Sequence, residues 1–580
     1  MPWERKKYKM ENSKKTKKKN KELKLKNKLK KHINININFT VVAIVLIVIF
    51  CVCITPVTFQ NDTYYTIKIG ELIKNNGIDM MDHFSWHENL SYTYPHWLYD
   101  LCTYLIYALA GFKGVYIATC VLSAILGVSI FLVNSKLTKC KSISFIVTVG
   151  SLYMLENYIA ARAQLVTFIL FIWELFCIEK FLENRKVGYG VALIVISTLI
   201  ANLHVATWPF FFVLFLPYIA EYVITLISDV VIYGKVNKLL INIKMKKAQK
   251  KNDLDKLKKL QVKLNELEER NEKIKSKRDK EKENPYKIKV SKNSNVKFLI
   301  IIMVICAFTG LLTPTGDTPY TYLYKTMQGN TTENISEHLP MTLANNTEAM
   351  CMLVIFLAIL IFTKAKIKLS DLFMIAGLCY LMLSTRRQLS MFVLICSVVL
   401  TRLIIDLIKR YTKNGLDEAE KTAKNIGVVI ALTVLMLLMS YDAVKSKFDD
   451  KFVNENSYPV AACDYIVENI DLSTARFYNE YNYGSYMLFR GIPVFIDSRA
   501  DLYAPEFSGN KDEDIFTDFI NTSSISKFYE DTFEKYNINY VILLKKSKTN
   551  MLITKTHDAN YKELYSDDNF VIYERLSANK

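Results

Sequence analysis

The chain has 580 residues, 75 Lys/Arg against 56 Asp/Glu and a net charge of +19, with a mean hydropathy of +0.13. The surplus is concentrated: residues 1–32 hold 15 Lys/Arg against 3 Glu, residues 235–297 hold 22 against 9 Asp/Glu, and the remainder is net acidic by 6. A uniformly basic surface would point to nucleic acid; two basic blocks flanking apolar runs instead point to cytoplasmic segments of a membrane protein with no nucleic-acid partner.

In chain order, residues 1–37 form a Lys/Asn-rich leader with no core-forming pattern, expected to be disordered and close to anionic lipid. The apolar run that follows has no small-x-small cleavage site after it, so it reads as a retained anchor. About eleven apolar runs approach or reach the ~20 residues that cross a bilayer: 39–59, 114–134, 143–160, 164–181, 187–204, 208–231, 297–314, 348–363, 369–385, 388–408 and 425–442. Helix 97–112 is apolar but short and reads as interfacial. With the N-terminus inside, the loops carrying Lys136, Lys139 and Lys141, then Arg185 and Lys186, then 235–297, then Lys364, Lys366 and Lys368, then Lys409 to Lys424 all fall inside. Loops 60–97 and 315–347 and the tail after 443 fall outside the cytoplasmic membrane.

Five segments result: the leader 1–37; a transmembrane module 38–232 with outer loop 60–97; a charged cytoplasmic insertion 233–296; a second transmembrane module 297–442; and an extracytoplasmic α/β domain 443–580. Within the insertion, Leu257, Leu260, Leu264, Leu267, Asn271 and Ile274 step by three and four. This heptad seam predicts a coiled coil over 250–283, open to a coiled-coil partner, or a hairpin with 236–250; a solvated charged spacer is the alternative. In the tail, Arg476–Tyr478, Tyr486–Phe489, Pro493–Ile496, Tyr540–Leu544 and Asn569–Glu574 read as strands, and 459–469 and 524–537 as helices. Most of the 11 Cys lie inside spans, which leaves no disulfide framework.

The polar residues worth chemistry gather in the outer loops and at the outer span ends. Asp62, Asp82, His83 and His96 crowd the first loop. Asp62 also suits the start of an amphipathic helix 63–74, where Asp is a favoured cap; Asp82 also suits a turn. Arg162, Arg386 and Arg387 stand at outer ends of spans, against the inside bias of basic residues, which marks them as candidates for binding. His204 stands at another outer end. Glu337 and His338 lie in loop 315–347. Asp497, Arg499 and Asp501 follow a strand and read as an ion network that fixes a turn, with binding of an acceptor as the alternative.

Motifs recur in a fixed order: Asp62…Tyr65, Ile69-Gly70, Asp82-x-Phe84-Ser85, His96-Trp97-Leu98, Arg162-x-Gln164-Leu165, Asn202-Leu203-His204, Glu337-His338-x-Pro340, Arg386-Arg387, Asn479-x-x-Asn482-x-Gly484 and Phe495-Ile496-Asp497-x-Arg499-x-Asp501-Leu502-Tyr503. In this order they resemble an uncharacterised branch of the bacterial GT-C membrane glycosyltransferases. The resemblance implies a polytopic helical fold and transfer of a hexosyl or pentosyl group from a polyprenyl-phosphate-linked sugar to an envelope glycan, lipid or protein. It implies catalytic roles for Asp62, Asp82 and His96, with Asp62 as general base. It also implies substrate binding by Arg162, His204, Glu337, His338, Arg386 and Arg387, the arginines on the leaving phosphate. The paired acids that several relatives carry after the first span are missing, since Asp62 stands between Asn61 and Thr63. No metal ligand set is therefore assigned, and a divalent metal stays open as a cofactor. Two rival functions stay open: a non-catalytic envelope scaffold using the same fold, and a transporter or flippase, which should place ionisable groups near span centres.

Overall fold

The computed structural model describes residues 38–232, 234–280, 287–329, 331–509 and 513–576. The leader 1–37 lies outside the described residues. Helices stand at all eleven expected apolar positions. Among the described residues, Trp97–Thr138, Val205–Ser228 and Arg386–Tyr411 are long and apolar enough to cross a membrane. A fourth unit, Gly415–Ala423 with Ile426–Met439, is bent by 76°, and six apolar helices are shorter. The protein is membrane-located, and the helix surfaces show why. On Phe39–Ile54 one stripe, Ala43, Leu46, Ile47, Phe50 and Ile54, is buried, while Val41, Val45, Ile49 and Val52 are exposed on the opposite face. Val187, Val191, Val195 and Leu199 repeat that pattern on Val187–Leu203. Aliphatic rows of this kind suit lipid, not water.

The segment 97–138 is two helices joined at Gly111, whose backbone (φ 59°, ψ −154°) leaves the helical region. The break falls where the short helix 97–112 was expected to end. Glycine tolerates this conformation because it has no Cβ.

Two hydrophobic cores divide the molecule. One fills the helical bundle from Phe39 to Met436. The other joins the first outer loop to the C-terminal segment, with Phe59, Tyr64, Ile67, Leu90 and Tyr94 packed among Tyr458, Phe477, Phe495 and Ile542. The loop 60–97 is thus part of the C-terminal core. Ser85 bridges Val494 in parallel, and Asn61 donates its side-chain N–H to the Tyr481 carbonyl at 2.9 Å.

The C-terminal segment carries a four-stranded sheet, order β3-β4-β6-β5, where β3 is Phe477–Tyr478, β4 Tyr540–Leu544, β5 Tyr561–Ser566 and β6 Phe570–Arg575. β3 runs parallel to β4; β6 is antiparallel to β4 and β5. A separate parallel pair, β1 (Ile288–Lys289) with β2 (Ile367–Lys368), ties the end of the insertion to the second bundle half. Within the insertion, Lys235–Lys250 and Leu254–Lys280 form two helices in contact.

Two strand expectations are corrected and one strand is added. Tyr486–Phe489 belongs to the helix Tyr481–Phe489, because Gly484 lets that helix lie against the main chain of Ile496 and Asp497 and bury Tyr483, Tyr486 and Met487. Pro493–Ile496 makes only the Val494 bridge. β5 was not expected: it is an edge strand, Tyr-Lys-Glu-Leu-Tyr-Ser, with one buried residue and no apolar alternation to announce it. The expected helix 524–537 is two elements, the end of Ile515–Ser524 and Tyr529–Lys535.

Candidate active site

A cavity of about 600 Å³ lies between one end of the helical bundle and the C-terminal segment. Asp62, His96, Arg162, His204, Glu337, His338 and Arg387 all line it. These residues come from six segments far apart in sequence, and local contacts place each of them.

Asp62 sits in the first turn of Asn61–Asn76, whose N-cap is Gln60, so Asp62 is not the cap. Its carboxylate meets Arg162 Nη2 at 2.6 Å, and Arg162 Nη1 meets Glu337 at 3.3 Å. Arg162 precedes the helix Ala163–Asn184, which places its guanidinium at the bundle end. The outer loop is pinned beside it by main-chain bonds: Arg386 N–H to the Leu339 carbonyl and Arg387 N–H to the Glu337 carbonyl, both 3.0 Å.

His96 opens the helix Trp97–Thr138. Its Nδ1 lies 3.1 Å from the buried Asp100 carboxylate, one turn on. Nδ1–H donation to Asp100 leaves Nε2 as the basic nitrogen, and Nε2 lies 3.4 Å from the Tyr65 hydroxyl. Trp97 donates its indole N–H to Asn202 Oδ1 at 3.1 Å, and Val205 N–H donates to the Pro95 carbonyl at 2.8 Å. These bonds hold the Asn202-Leu203-His204 corner against the His96 corner, with the two imidazole centres 5.9 Å apart.

Four buried polar atoms on the cavity lining have no hydrogen-bond partner among the described residues: Asn61 Oδ1, Tyr92 Oη, His204 Nδ1 and Gln388 Oε1. Such groups in a native interior are usually met by water, an ion or a bound molecule. The Arg387 guanidinium lines the same space. No carboxylate lies within ion-pair distance of it among the described residues. Burial and the charge of Arg387 push the His338 imidazole down to about 4, so it is neutral near pH 7.

Two expected site residues do not reach the cavity. The Asp82 carboxylate is fully buried. One oxygen meets Arg499 Nη1 at 2.6 Å and the other accepts from Ser85 N–H (2.9 Å) and Oγ (2.6 Å). Burial alone would raise its pKa, but Arg499 and Ser85 outweigh burial and hold the group below the usual carboxylate range. A carboxylate so fixed is a turn and network residue, not a base in contact with substrate. Arg386 contributes its main chain to loop docking, and its carbonyl accepts from the Tyr158 hydroxyl at 3.1 Å. His83 pairs at the exposed surface with Asp79 at 2.6 Å.

The expected ion network in the tail is present and larger than the motif. Arg499 joins Asp497 (2.7 Å) and Asp82, and the Tyr503 hydroxyl donates to Asp497 at 2.6 Å. Asp501 is different: it lines the cavity, accepts from the Tyr322 hydroxyl and from Thr331 Oγ1 (3.2 Å), and its pKa is raised by burial. Sequence reading gave Asp100 no site role and offered acceptor binding for Asp501 only as the lesser alternative to an ion network. His96 and Asp100 were legible as a pair, since residues four apart at a helix start face each other. What the sequence could not show for Asp501 was its partners, Tyr322 and Thr331, which lie more than 160 residues away.

Among the described residues no three His, Cys, Asp or Glu side chains form a ligand group. Where the acids Asp62 and Glu337 approach, Arg162 lies between them and supplies the positive charge.

No protein-family model and no curated protein matches the sequence. The apo oligosaccharyltransferase of Archaeoglobus fulgidus superposes with a TM-score of 0.52 and 12% identity, over 92% of this chain and 74% of that one. ArnT from Cupriavidus metallidurans bound to undecaprenyl phosphate gives a TM-score of 0.48 at 9% identity, over 92% of this chain and 97% of that one. The apo state of that ArnT gives 0.48 at 9%, over 93% and 98%. The fold is GT-C-like.

Proposed function

We propose that this protein is a membrane glycosyltransferase that moves a hexosyl or pentosyl group from a polyprenyl-phosphate donor to an envelope acceptor on the outer face of the cytoplasmic membrane. The observation that carries this reading is the Arg387 guanidinium, always charged and without a carboxylate partner among the described residues, on a cavity at a bundle end. A phosphate meets that need with paired hydrogen bonds.

In the reaction, an acceptor hydroxyl oxygen attacks the anomeric carbon. The bond from that carbon to the lipid phosphate oxygen breaks, and its electron pair leaves with the phosphate. Arg387 and Arg162 hold the departing charge. The acceptor proton passes to a base, and two lie on the cavity. His96 Nε2 is the basic atom of an imidazole oriented by Asp100. Asp62 becomes available when donor phosphate takes its place on Arg162. His204, His338 and Glu337 complete the lining around the sugar, and Asp501 offers an acceptor contact. No step needs a metal.

The topology belongs to the same proposal: eleven spans, N-terminus and insertion 233–296 inside, outer loops and 443–580 outside. Ala163–Asn184 is about 33 Å long at 1.5 Å per residue, enough for the hydrocarbon core. It carries Arg162 at one end and Lys180 near the other.

Mass spectrometry of lipid-linked sugars and envelope glycans tests the reading. Cells lacking the protein should accumulate one polyprenyl-phosphate sugar and lose one glycan modification. H96N and D62N should reproduce that change with the protein still folded in the membrane. A scaffold would leave the lipid-linked pool unchanged in both variants, which would refute transfer.

A further inference from the structure

A second cavity, of about 500 Å³, lies at the other end of the bundle. The helices Ala163–Asn184 and Leu389–Tyr411 run from one cavity to the other. Gln164 and Ser390 line the first; Glu183 and Lys409 line the second. Nothing in the proposed transfer uses this inner site.

Seven cationic and five carboxylate side chains line it, a surplus of two positive charges. The carboxylates are already engaged. Glu179 meets Arg402 at 2.9 Å and accepts from the Tyr218 hydroxyl at 2.7 Å. Asp371 meets Arg402 at 2.7 Å, and Glu183 meets Lys180 at 2.6 Å. Asp406 meets Arg410 at 2.6 Å, and Glu221 accepts the Ser291 N–H at 2.9 Å. Lys139 and Lys409 have no carboxylate within 4 Å among the described residues, and both stand exposed on the cavity lining. Lys139 also ends its helix in the left-handed conformation (φ 61°), where glycine would be the unstrained choice.

A second observation points the same way. β1 and β2 pair so that Lys289 and Lys368 are direct partners. Like charges placed opposite each other destabilise a strand pair. Each has one carboxylate at the long end of ion-pair distance, Asp406 at 3.8 Å from Lys289 and Glu179 at 3.7 Å from Lys368, and both acids are shared with a closer arginine. An anion in the cavity would relieve both lysines.

We propose that this inner cavity is a binding site for a phosphate-bearing anion, held by Lys139 and Lys409 with Lys289 and Lys368 behind them. The chemistry is that of a phosphomonoester or diphosphate, and two sources carry it: the headgroup of an anionic phospholipid at the membrane surface, or a soluble phosphate. Either would bind the return of the insertion, through β1, to the second bundle half.

The test uses the full-length protein in detergent micelles and native mass spectrometry with phosphatidic acid, with phosphatidylcholine as the neutral control. Wild type should retain phosphatidic acid over phosphatidylcholine. K139Q/K409Q should weaken that retention about 30-fold, from the weight of two lysines near an anionic headgroup. K139R/K409R should restore it. Competition by inorganic pyrophosphate identifies a soluble phosphate as the ligand; lack of competition identifies the lipid headgroup. Equal retention by wild type and K139Q/K409Q overturns the site, as does wild type that binds neither phosphatidic acid nor pyrophosphate.

Discussion

Replacing Asp82 separates a network residue from a catalytic one. The Asp82 carboxylate is fully buried and the Arg499 side chain 3% exposed, with 2.6 Å between them. D82A removes one of two acids from a buried guanidinium and leaves Ser85 N–H and Oγ without their acceptor. Breaking a buried ion pair costs about 3–5 kcal/mol. Asp497 stays on Arg499 with bonds at 2.9 and 2.7 Å, so part of the charge remains compensated. The lower end, about 3 kcal/mol, is expected, or roughly 6–12 °C in the unfolding temperature of a unit of this size. With the other ten cysteines replaced by serine, Cys463, buried in the same core, reports the transition through its reaction with a thiol-specific fluorophore during heating. D82A/R499Q should be less destabilised than the sum of its single variants. A D82A protein that unfolds at the wild-type temperature but loses transfer by 100-fold or more would refute the network assignment and return Asp82 to the chemistry.

An added methyl at Gly484 would sit 2.0 Å from the Ile496 carbonyl oxygen, so G484A should destabilise the C-terminal core by about 1–3 kcal/mol in the same heating assay, and an unchanged transition would contradict the packing. Burial raises the Glu480 carboxyl from 4.5 to about 7. Its stability contribution is therefore full below pH 4.5 and lost as pH rises through 7, so wild type should melt lower at pH 8 than at pH 5 and E480Q should flatten that slope. If His96 is the base, D100N should lower turnover with the protein still folded, because the imidazole loses the carboxylate that orients it; unchanged turnover in D100N would assign the base to Asp62. Cysteines placed at Glu88 and Lys546 should react with an impermeant reagent in intact cells, and one at Lys263 only after lysis; the reverse pattern would invert the topology.

The apolar runs were legible because a span needs nothing but length and hydropathy, and helices occupy all of those positions. Much of the site was legible for a related reason: charged groups at bundle ends are costly unless they serve a purpose, so Asp62, Arg162, Glu337 and Arg387 stood out, and they line one cavity. What sequence could not show was which acid faces which cation. Asp82 and Asp62 look alike in the first loop. Only the fold brings Arg499, 417 residues on, against Asp82. The C-terminal strands were partly misread for the same reason. Tyr481–Phe489 carries strand-prone aromatics, yet contact with Ile496 through Gly484 makes it a helix.

The central claim is that Arg162 and Arg387 hold the phosphate of a polyprenyl-linked donor. Its most direct test is the affinity of purified R162Q and R387Q for polyprenyl phosphate, measured by titration in detergent. A phosphate contact in a partly desolvated site is worth about 2–3 kcal/mol, so each variant should bind roughly 30- to 150-fold more weakly than wild type. Lysine replacements should recover only part of the loss, since a point charge replaces a planar fork. Wild-type affinity in both glutamine variants would contradict the phosphate site and the transferase reading built on it.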